Sequence, residues 1–373
     1  MTPTAPTLIP AFLMAYSDSS FTNPHEVVKA AEPENRAGDF THMGAKYWGF
    51  ETVRHRATTV LSEEQALAYD HNAYHWLHIG FKKRAQISQI KISTKWFTGN
   101  QVKTVSVVLL DKHSGTEHQV LTRVSLNPDA EHSFDIAPTP ATECRVLCFH
   151  EGGISRINLF GQATAIQPPV RDNVLASAEI SQVSNEHYGS PLMAVKGVRA
   201  EEHMVGWESA RNGFGEQALF HLAQPTVIDE IIVDTYMHRL NPPLSCHVFG
   251  LTLQTPDTLG DIMAYAPRWQ LEFSDGSQVI PDNFQAYMLA EQYLQEKVPN
   301  NKQFKIKLHH KAGSPWRAIL PFAPLRADTY HQFDTLADAG AVTHVLYMHY
   351  PNGGVHGLKM FGHNLKAADQ PGA

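Results

Sequence analysis

The sequence has little cysteine and no excess of basic residues. Only three of its 373 residues are cysteines. Cys144 and Cys148 lie four positions apart on a predicted strand, which separates them by roughly 13 Å, too far for a disulfide. A chain without disulfides fits a reducing compartment, so we expect a cytoplasmic protein. The net charge of −7 is the opposite of the basic surface that nucleic acids require, and we expect no nucleic-acid partner.

Long apolar runs and the familiar catalytic motifs are also missing. No run is long enough to span a membrane, and the N-terminus lacks the segments of a signal peptide, so we expect no membrane partner. The 22 histidines are scattered, without His-Glu-x-x-His or a Cys/His cluster at metal spacing. Gly-x-Ser-x-Gly, phosphate-loop and dinucleotide patterns are absent. For an enzyme, this favours non-covalent acid–base hydrolysis with no cofactor and no dedicated metal site, while a loosely bound divalent metal stays open.

One segment of the sequence occurs twice. Residues 151–161 read Glu-Gly-Gly-Ile-Ser-Arg-Ile-Asn-Leu-Phe-Gly, and residues 352–362 read Asn-Gly-Gly-Val-His-Gly-Leu-Lys-Met-Phe-Gly. Each copy follows an alternating apolar run and begins another. Paired glycines between two alternating runs predict a tight turn, because glycine reaches positive φ without steric cost. We therefore predict a β-hairpin at each copy.

Other segments repeat in the same order in the two halves of the chain. Residues 49–54 read Gly-Phe-Glu-Thr-Val-Arg, and residues 206–211 read Gly-Trp-Glu-Ser-Ala-Arg. Asn100 and Asn241 each follow an aromatic-rich strand end. Ordered repetition of this kind indicates an internal duplication.

Short alternating segments at regular spacing, with few helical ones, predict an all-β protein. Together with the duplication, they predict two jelly-roll β-sandwiches in tandem. We place an N-terminal arm at 1–16, a first repeat at 17–166, a linker at 167–176, a second repeat at 177–365 and a tail at 366–373.

The second repeat is longer than the first by about 60 residues between its matching asparagine and its Gly-Gly pair. We assign the difference to an insert at about 254–312. Residues 274–277, Ser-Asp-Gly-Ser, predict a hairpin, and residues 282–296 predict an amphipathic helix with Asp282 as its N-cap. We expect the insert to pack outside the second sandwich, at a position suited to a subunit contact. We also expect a homo-oligomer.

Two glutamates are the first candidates for chemistry. Glu51 and Glu208 each follow a Gly-aromatic pair and precede an arginine, Arg54 or Arg211, by three positions. A carboxyl group buried beside apolar rings has a raised pKa and can serve as an acid or a base. The alternative is a Glu–Arg pair that only pins a loop, and duplication would copy such a pair equally well.

The remaining candidates are guanidinium, amide and aromatic side chains. Guanidinium groups bind carboxylates in a two-pronged way, although an arginine on a strand face is often only exposed. Asparagine can hydrogen-bond a polar ligand or cap a turn, and a histidine–tryptophan pair at a strand start can line a site. These candidates are Arg54, Arg56, Arg156, Arg211, Asn100, Asn241, His75 and Trp76.

Taken in order, these segments resemble the allantoicase family, enzymes with two related jelly-roll halves. No single motif is highly specific, but the doubled order is. The resemblance covers the chain from about Ser17 to Gly362, apart from the insert. The matching segments are 49–52, 94–100, 184–188, 206–209, both Gly-Gly segments and, as the longest single match, 316–362.

The resemblance implies a galactose-binding-like jelly roll and the hydrolysis of allantoate to ureidoglycolate and urea in purine degradation. Allantoate carries one carboxylate and two ureido groups on one carbon. Its cleavage needs a cationic clamp, amide-type partners and an acid–base pair. We accordingly expect catalysis by Glu51, His75 and Glu208. Substrate binding falls to Arg54, Arg56, Trp76, Asn100, Arg156, Arg211 and Asn241.

The sequence departs from the family pattern in its arginines. The run of arginines after each glutamate is thinned, and Gly357 stands in the second repeat where the first has Arg156. The first repeat keeps the fuller set, so we expect the working site there. Two alternatives fit the same residues: a non-catalytic protein that binds a small ligand or a carbohydrate, and a hydrolase of a related ureido or guanidino compound.

Overall fold

The chain divides into two compact units between residues 169 and 170, a position inside the predicted linker. This is a computed structural model. It describes residues 5–19, 22–42, 44–54, 61–68, 70–168, 170–199, 206–211, 214–253, 260, 263–281, 287–288 and 294–364.

The first unit is built almost entirely of strands. One seven-stranded sheet has the order β1-β11-β6-β9-β7-β8, with β2 also paired to β6; β5 pairs with β10, and β3 with β4. A 3₁₀ helix at Pro24–Val28 and a short helix α1 at Glu63–Leu67 complete it. The strands are β1 Thr7–Leu8, β2 Ala11–Tyr16, β3 Phe40–Thr41, β4 Gly44–Ala45, β5 Phe50–Glu51, β6 Tyr74–Ser93, β7 Thr104–Asp111, β8 Thr116–Ser125, β9 Glu131–Phe149, β10 Gly153–Ile154 and β11 Arg156–Ala163.

Strand β6 organises this unit. Its first part pairs with β2 and its second part with β11, while β9 follows it throughout. The register shifts between Gly80 and Ala85, and a strand that changes partners at such an irregularity can serve both sheets of a sandwich. Leu77, Ile79 and Ile90 of β6 are fully buried in the apolar core, as the alternating sequence predicts.

The second unit repeats the plan with an addition. Its main sheet has the order β12-β15-β22-β16-β20, with β21 and β24 also paired to β15; β13-β14-β23 and β18-β17-β19 form two small sheets. Helix α2 spans Pro191–Lys196, and 3₁₀ helices span Val174–Ser177 and Gln295–Lys297. The strands are β12 Glu179–Val183, β13 Tyr188–Gly189, β14 Trp207–Glu208, β15 Glu216–Asp234, β16 Ser245–Leu251, β17 Arg268–Phe273, β18 Gln278–Val279, β19 Phe304–His309, β20 Arg317–Pro324, β21 Tyr330–Phe333, β22 Ala341–Tyr350, β23 Gly354–Val355 and β24 Gly357–Asn364. The predicted all-β tandem fold is confirmed.

The described part of the insert packs on the outer face of the second main sheet. The hairpin around residues 274–277 joins β17 to β18. Trp269 and Leu271 of the insert share an apolar cluster with Leu219 and Leu346 of the main sheet, separate from the central core of the repeat. Most of the predicted helix 282–296 lies outside the described residues.

Two expectations are wrong. The strands on either side of each Gly-Gly pair do not form a hairpin with each other: β9 and β11 both pair with β6, and β22 and β24 both pair with β15. The predicted arm at 1–16 includes β1 and β2, which belong to the first sheet. An alternating run shows that a strand exists, but it does not show which strand is its neighbour.

The three cysteines are buried and unpaired, as predicted. Burial alone raises the pKa of the Cys144 thiol to about 12. No helix within the described part of the chain is long and apolar enough to cross a membrane.

Candidate functional sites in the two repeats

The Gly-aromatic-Glu-Thr segment of the first repeat is held against the Gly-Gly turn. Strand β5 pairs with β10, so Glu51 lies opposite Gly153. Gly49 has a φ of +54°, and a Cβ there would overlap the backbone carbonyls of Ser155 and Ile154. Phe50 is fully buried in the core. These contacts explain the glycine and the aromatic residue, and they fix the backbone that carries Glu51.

The hydroxyl residue after the glutamate fastens the turn. Thr52 Oγ1 accepts the Gly152 N–H at 3.0 Å, while the Thr52 N–H donates to the Gly152 carbonyl at 3.1 Å. The backbone around Glu51 is thus bonded in both directions. We infer a positioning role for Thr52, because a buried N–H without a partner is costly.

The second repeat reproduces this frame. Glu208 lies opposite Gly354 in the β14–β23 pair, and Trp207 is fully buried. Ser209 Oγ accepts the Gly353 N–H at 3.1 Å, and the Ser209 N–H donates to the Gly353 carbonyl at 3.2 Å. The repeated motif therefore encodes one local structure twice.

Each glutamate is joined to the asparagine that the sequence paired with it. Asn100 Nδ2 donates to Glu51 Oε1 at 2.9 Å, and Asn241 Nδ2 donates to Glu208 Oε1 at 2.7 Å. Both asparagines also bind the glycine turn, since their carbonyls accept the N–H of Gly153 and of Gly354 at 2.8 Å. The two carboxylate–amide pairs are equivalent parts of the two repeats.

Glu51 has the properties of an acid–base group. Its side chain is buried, and Oε2 has no hydrogen-bond partner among the described residues. Burial raises the pKa of Glu51, while the Asn100 hydrogen bond and the positive charge of Arg54 oppose that shift. A carboxyl group that holds its proton to higher pH than an exposed glutamate can act as a general acid.

The second repeat differs beside its glutamate. A Cβ at Gly153 would overlap the ring of Phe97, and a Cβ at Gly354 would overlap the ring of His238. The N–H of Phe97 and of His238 donates to Thr94 and Thr235 respectively, each at 2.9 Å, so the two rings occupy matching positions. His238 is 2% exposed, and burial lowers its pKa. Sequence analysis missed His238 because its counterpart is a phenylalanine.

His75 is linked to the Glu51 segment through Asp18. His75 Nδ1 lies 2.9 Å from Asp18 Oδ2, and Asp18 Oδ1 accepts the N–H of Val53 at 3.3 Å. Trp76 is the next residue on β6, so its side chain projects from the opposite face of the strand. The structure therefore brings His75 and Asp18 towards the Glu51 segment and directs Trp76 away from it.

The predicted arginines that the structure describes have different surroundings within their own repeats. Arg54 is exposed and acts electrostatically on Glu51, and Arg211 is exposed at the matching place in the second repeat. Arg156 is buried and donates to the carbonyls of Ala31 and Ser155, both at 2.7 Å. Arg56 lies outside the described residues. Among the predicted arginines that the structure describes, Arg54 is the one that acts on the glutamate of the first repeat.

The second repeat has no arginine at the position that corresponds to Arg156, but a different arginine forms an ion pair next to that position. Arg199 makes a two-pronged ion pair with Asp234, with both N–O distances 2.8 Å. Gly357, which replaces Arg156, lies directly opposite Asp234 in the β15–β24 pair. Within the described ranges, no group of three or more His, Cys, Asp or Glu residues is arranged to hold a metal ion.

Two jelly-roll repeats, each with a carboxylate–amide pair on the same glycine turn, define a tandem-repeat β-sandwich protein. The model of the allantoicase repeat matches residues 7–164 and again residues 173–365. The chain belongs to the allantoicase family.

Individual relatives agree with the family match. A probable allantoicase of Pseudomonas paraeruginosa is 25% identical over 367 residues, covering 94% of this chain and 92% of its own length. The allantoicase of Saccharomyces cerevisiae is 24% identical over 262 residues, covering 64% of this chain and 72% of its own length. A solved structure described as "Structure of allantoicase" aligns with a TM-score of 0.33 at 19% identity, covering 95% of this chain and 91% of its own.

Proposed function

We propose that this protein hydrolyses allantoate to ureidoglycolate and urea, as a step of purine degradation. Family membership across both repeats supports the reaction class. The observation that carries the proposal is the Glu51–Asn100 pair, in which a buried carboxyl group with a raised pKa is fixed by an amide.

The pair is chemically suited to a ureido group. A ureido group offers three N–H donors on two nitrogens and one carbonyl acceptor. A carboxyl oxygen accepts such N–H groups, and the second N–H of an asparagine amide can donate to the ureido carbonyl. Glu51 and Asn100 present both functions within one hydrogen bond of each other. Arg54, which is exposed beside them, would bind the substrate carboxylate.

The reaction requires one proton to be given and one to be taken. Glu51 in its protonated form donates a proton to the ureido nitrogen as the bond from that nitrogen to the central carbon breaks, and urea leaves. The oxygen of water forms the new bond to the central carbon and becomes the hydroxyl of ureidoglycolate. His75, oriented by Asp18, takes the proton that this water loses. Solvent then restores both groups.

The decisive experiment is urea release from allantoate by the full-length protein. We expect turnover without a nucleotide cofactor and, as the sequence predicts, without a dedicated metal site. A chelator tests the open alternative, because the rate would fall on its addition only if a loosely bound divalent metal contributes. A folded protein that releases no urea from allantoate, ureidoglycolate or close analogues would contradict the proposal and favour a binding protein. Cytoplasmic location and homo-oligomerisation remain predictions for fractionation and light scattering.

A further inference from the structure

The second repeat retains the backbone hydrogen bonds of the first site, although it has glycine at the position that corresponds to Arg156. Glu208, Asn241 and the Gly353-Gly354 turn reproduce the bonds of their counterparts in the first repeat. Neither Glu208 nor Asn241 is fully buried, so both can be reached by a small ligand. A purely structural repeat has no need to keep a carboxylate and an amide paired at an accessible position.

The amide of Asn241 is held at both ends. Its Nδ2 donates to Glu208 Oε1. A hydrogen bond with the Asn241 side chain is one of the influences that oppose the lowering of the His238 pKa by burial. Since Nδ2 is the donor to Glu208, the amide oxygen is left to accept the N–H of the imidazole. Burial lowers the pKa of His238, so the neutral ring carries one N–H and one bare nitrogen.

The bare nitrogen can be identified. His238 Nδ1 is buried and has no hydrogen-bond partner within the described residues, which makes Nε2 the atom that donates to Asn241. An unpaired lone pair suits this apolar position beside Gly354 better than an unpaired N–H would. The phenyl ring of Phe97 fills the same space in the first repeat and can make no such bond.

We propose that Glu208 and Asn241 form a second binding site for a small ureido carboxylate, in which His238 is a positioning residue that fixes the Asn241 amide. This inference rests on the proposed function of the first repeat for the class of ligand. The free N–H of Asn241 donates to the ureido carbonyl, and Glu208 accepts ureido N–H groups. Arg211, exposed three residues after Glu208, faces the solvent on the same segment and binds the carboxylate.

The test is the binding stoichiometry of hydantoate, a stable ureido carboxylate, measured by calorimetry on the full-length protein. We expect two molecules per chain. Asn100→Ala and Asn241→Ala should each bind one hydantoate molecule per chain, and the double variant should bind none. If Asn241→Ala does not fold, Asn241→Asp replaces it, because it keeps the size and loses the amide donor. One molecule per chain in the parent, or two in a folded Asn241 variant, would overturn the proposal.

The role of His238 has its own readout. His238→Phe places in the second repeat the residue that the first already holds, so the fold should be kept. Affinity at the second site should fall about tenfold, as for the loss of one hydrogen bond, with the first site unchanged. His238→Gln, which retains a donor, should recover most of that affinity. Equal second-site affinity in all three proteins would refute the positioning role.

Urea release measured in parallel separates this inference from the proposed function. Turnover of allantoate together with a single bound hydantoate, or with none, would refute the second site and leave the catalytic proposal intact. Two bound molecules without any turnover would support the second site and refute the catalytic proposal.

Discussion

Glu51→Gln should abolish most of the activity without harming the fold. Glutamine keeps the oxygen that accepts from Asn100 Nδ2 and places an amide nitrogen where Oε2 has no partner. It cannot give up a proton to the leaving nitrogen. General acid–base catalysis is worth about 10²–10⁴ in rate, or about 3–5 kcal/mol of activation free energy, so kcat should fall by that factor.

The same substitution gives a stability signature. The pKa of Glu51 is raised in the folded protein, so its favourable neutral form is fully present below the unfolded pKa. That contribution to stability is lost as the pH rises through the folded pKa. Glutamine cannot ionise. The difference in unfolding free energy between Glu51→Gln and the parent should therefore shift in favour of the variant as the pH rises from about 4 to 7.

The assay combines steady-state urea release with thermal melting from pH 4 to 8. Glu208→Gln is the matched control, because it alters the equivalent carboxylate–amide pair in the other repeat. We expect that variant to keep most of its catalytic rate. If Glu51→Gln were as active as the parent while Glu208→Gln were inactive, the catalytic carboxylate would lie in the second repeat.

The remaining predictions concern other parts of the first site. Arg54→Lys should raise KM more than it lowers kcat, because lysine cannot make the two-pronged carboxylate contact; equal KM values would contradict the clamp. Thr52→Val should cost about 1–3 kcal/mol in a denaturant titration, because the Gly152 N–H loses its acceptor. Gly153→Ala should cost about 1–3 kcal/mol through overlap with Phe97, and a parent-like melting temperature would contradict that packing. In the parent, kcat should decline as the pH rises through the raised pKa of Glu51, and a rate that rises there would exclude the acid role.

The duplication made half of the site predictable. Glu51 and Asn100 repeat as Glu208 and Asn241, and the structure joins both pairs by hydrogen bonds. Repetition allowed this prediction because the residues that form the same contact in both copies occur at matching positions in both halves of the sequence. It cannot reveal His238, since Phe97 stands in the other copy and the two residues have no chemistry in common.

Other features escaped prediction because they depend on the pairing of distant strands. The alternating runs beside the Gly-Gly pairs gave no sign that both would pair with β6 or with β15. Arg156 looks like a ligand-binding arginine in sequence, but two carbonyls hold it in the interior. Trp76 follows His75 directly, and the two side chains lie on opposite faces because successive residues of a strand alternate in direction.

The sheet beneath the insert differs in sequence from the equivalent sheet of the first repeat. Ser17 Oγ accepts the N–H of Trp76, and Ser184 Oγ accepts that of Gln217, both at 3.0 Å, which aligns β6 with β15. In this alignment, the cross-strand neighbours Leu219 and Leu346 under the insert correspond to His78 and Arg145 on the uncovered first repeat.

The difference between the leucine pair and the polar pair makes the second sheet dependent on the insert that covers it. His78 binds the buried carboxylate of Glu143 at 2.7 Å, and Arg145 binds the exposed carboxylate of Glu117 at 3.1 Å. A shortened chain without the insert would expose leucines at positions where the first repeat has the polar side chains of His78 and Arg145, and such an apolar surface favours aggregation. To restore solubility, these leucines would have to be replaced by the polar residues that the first repeat has at the same positions.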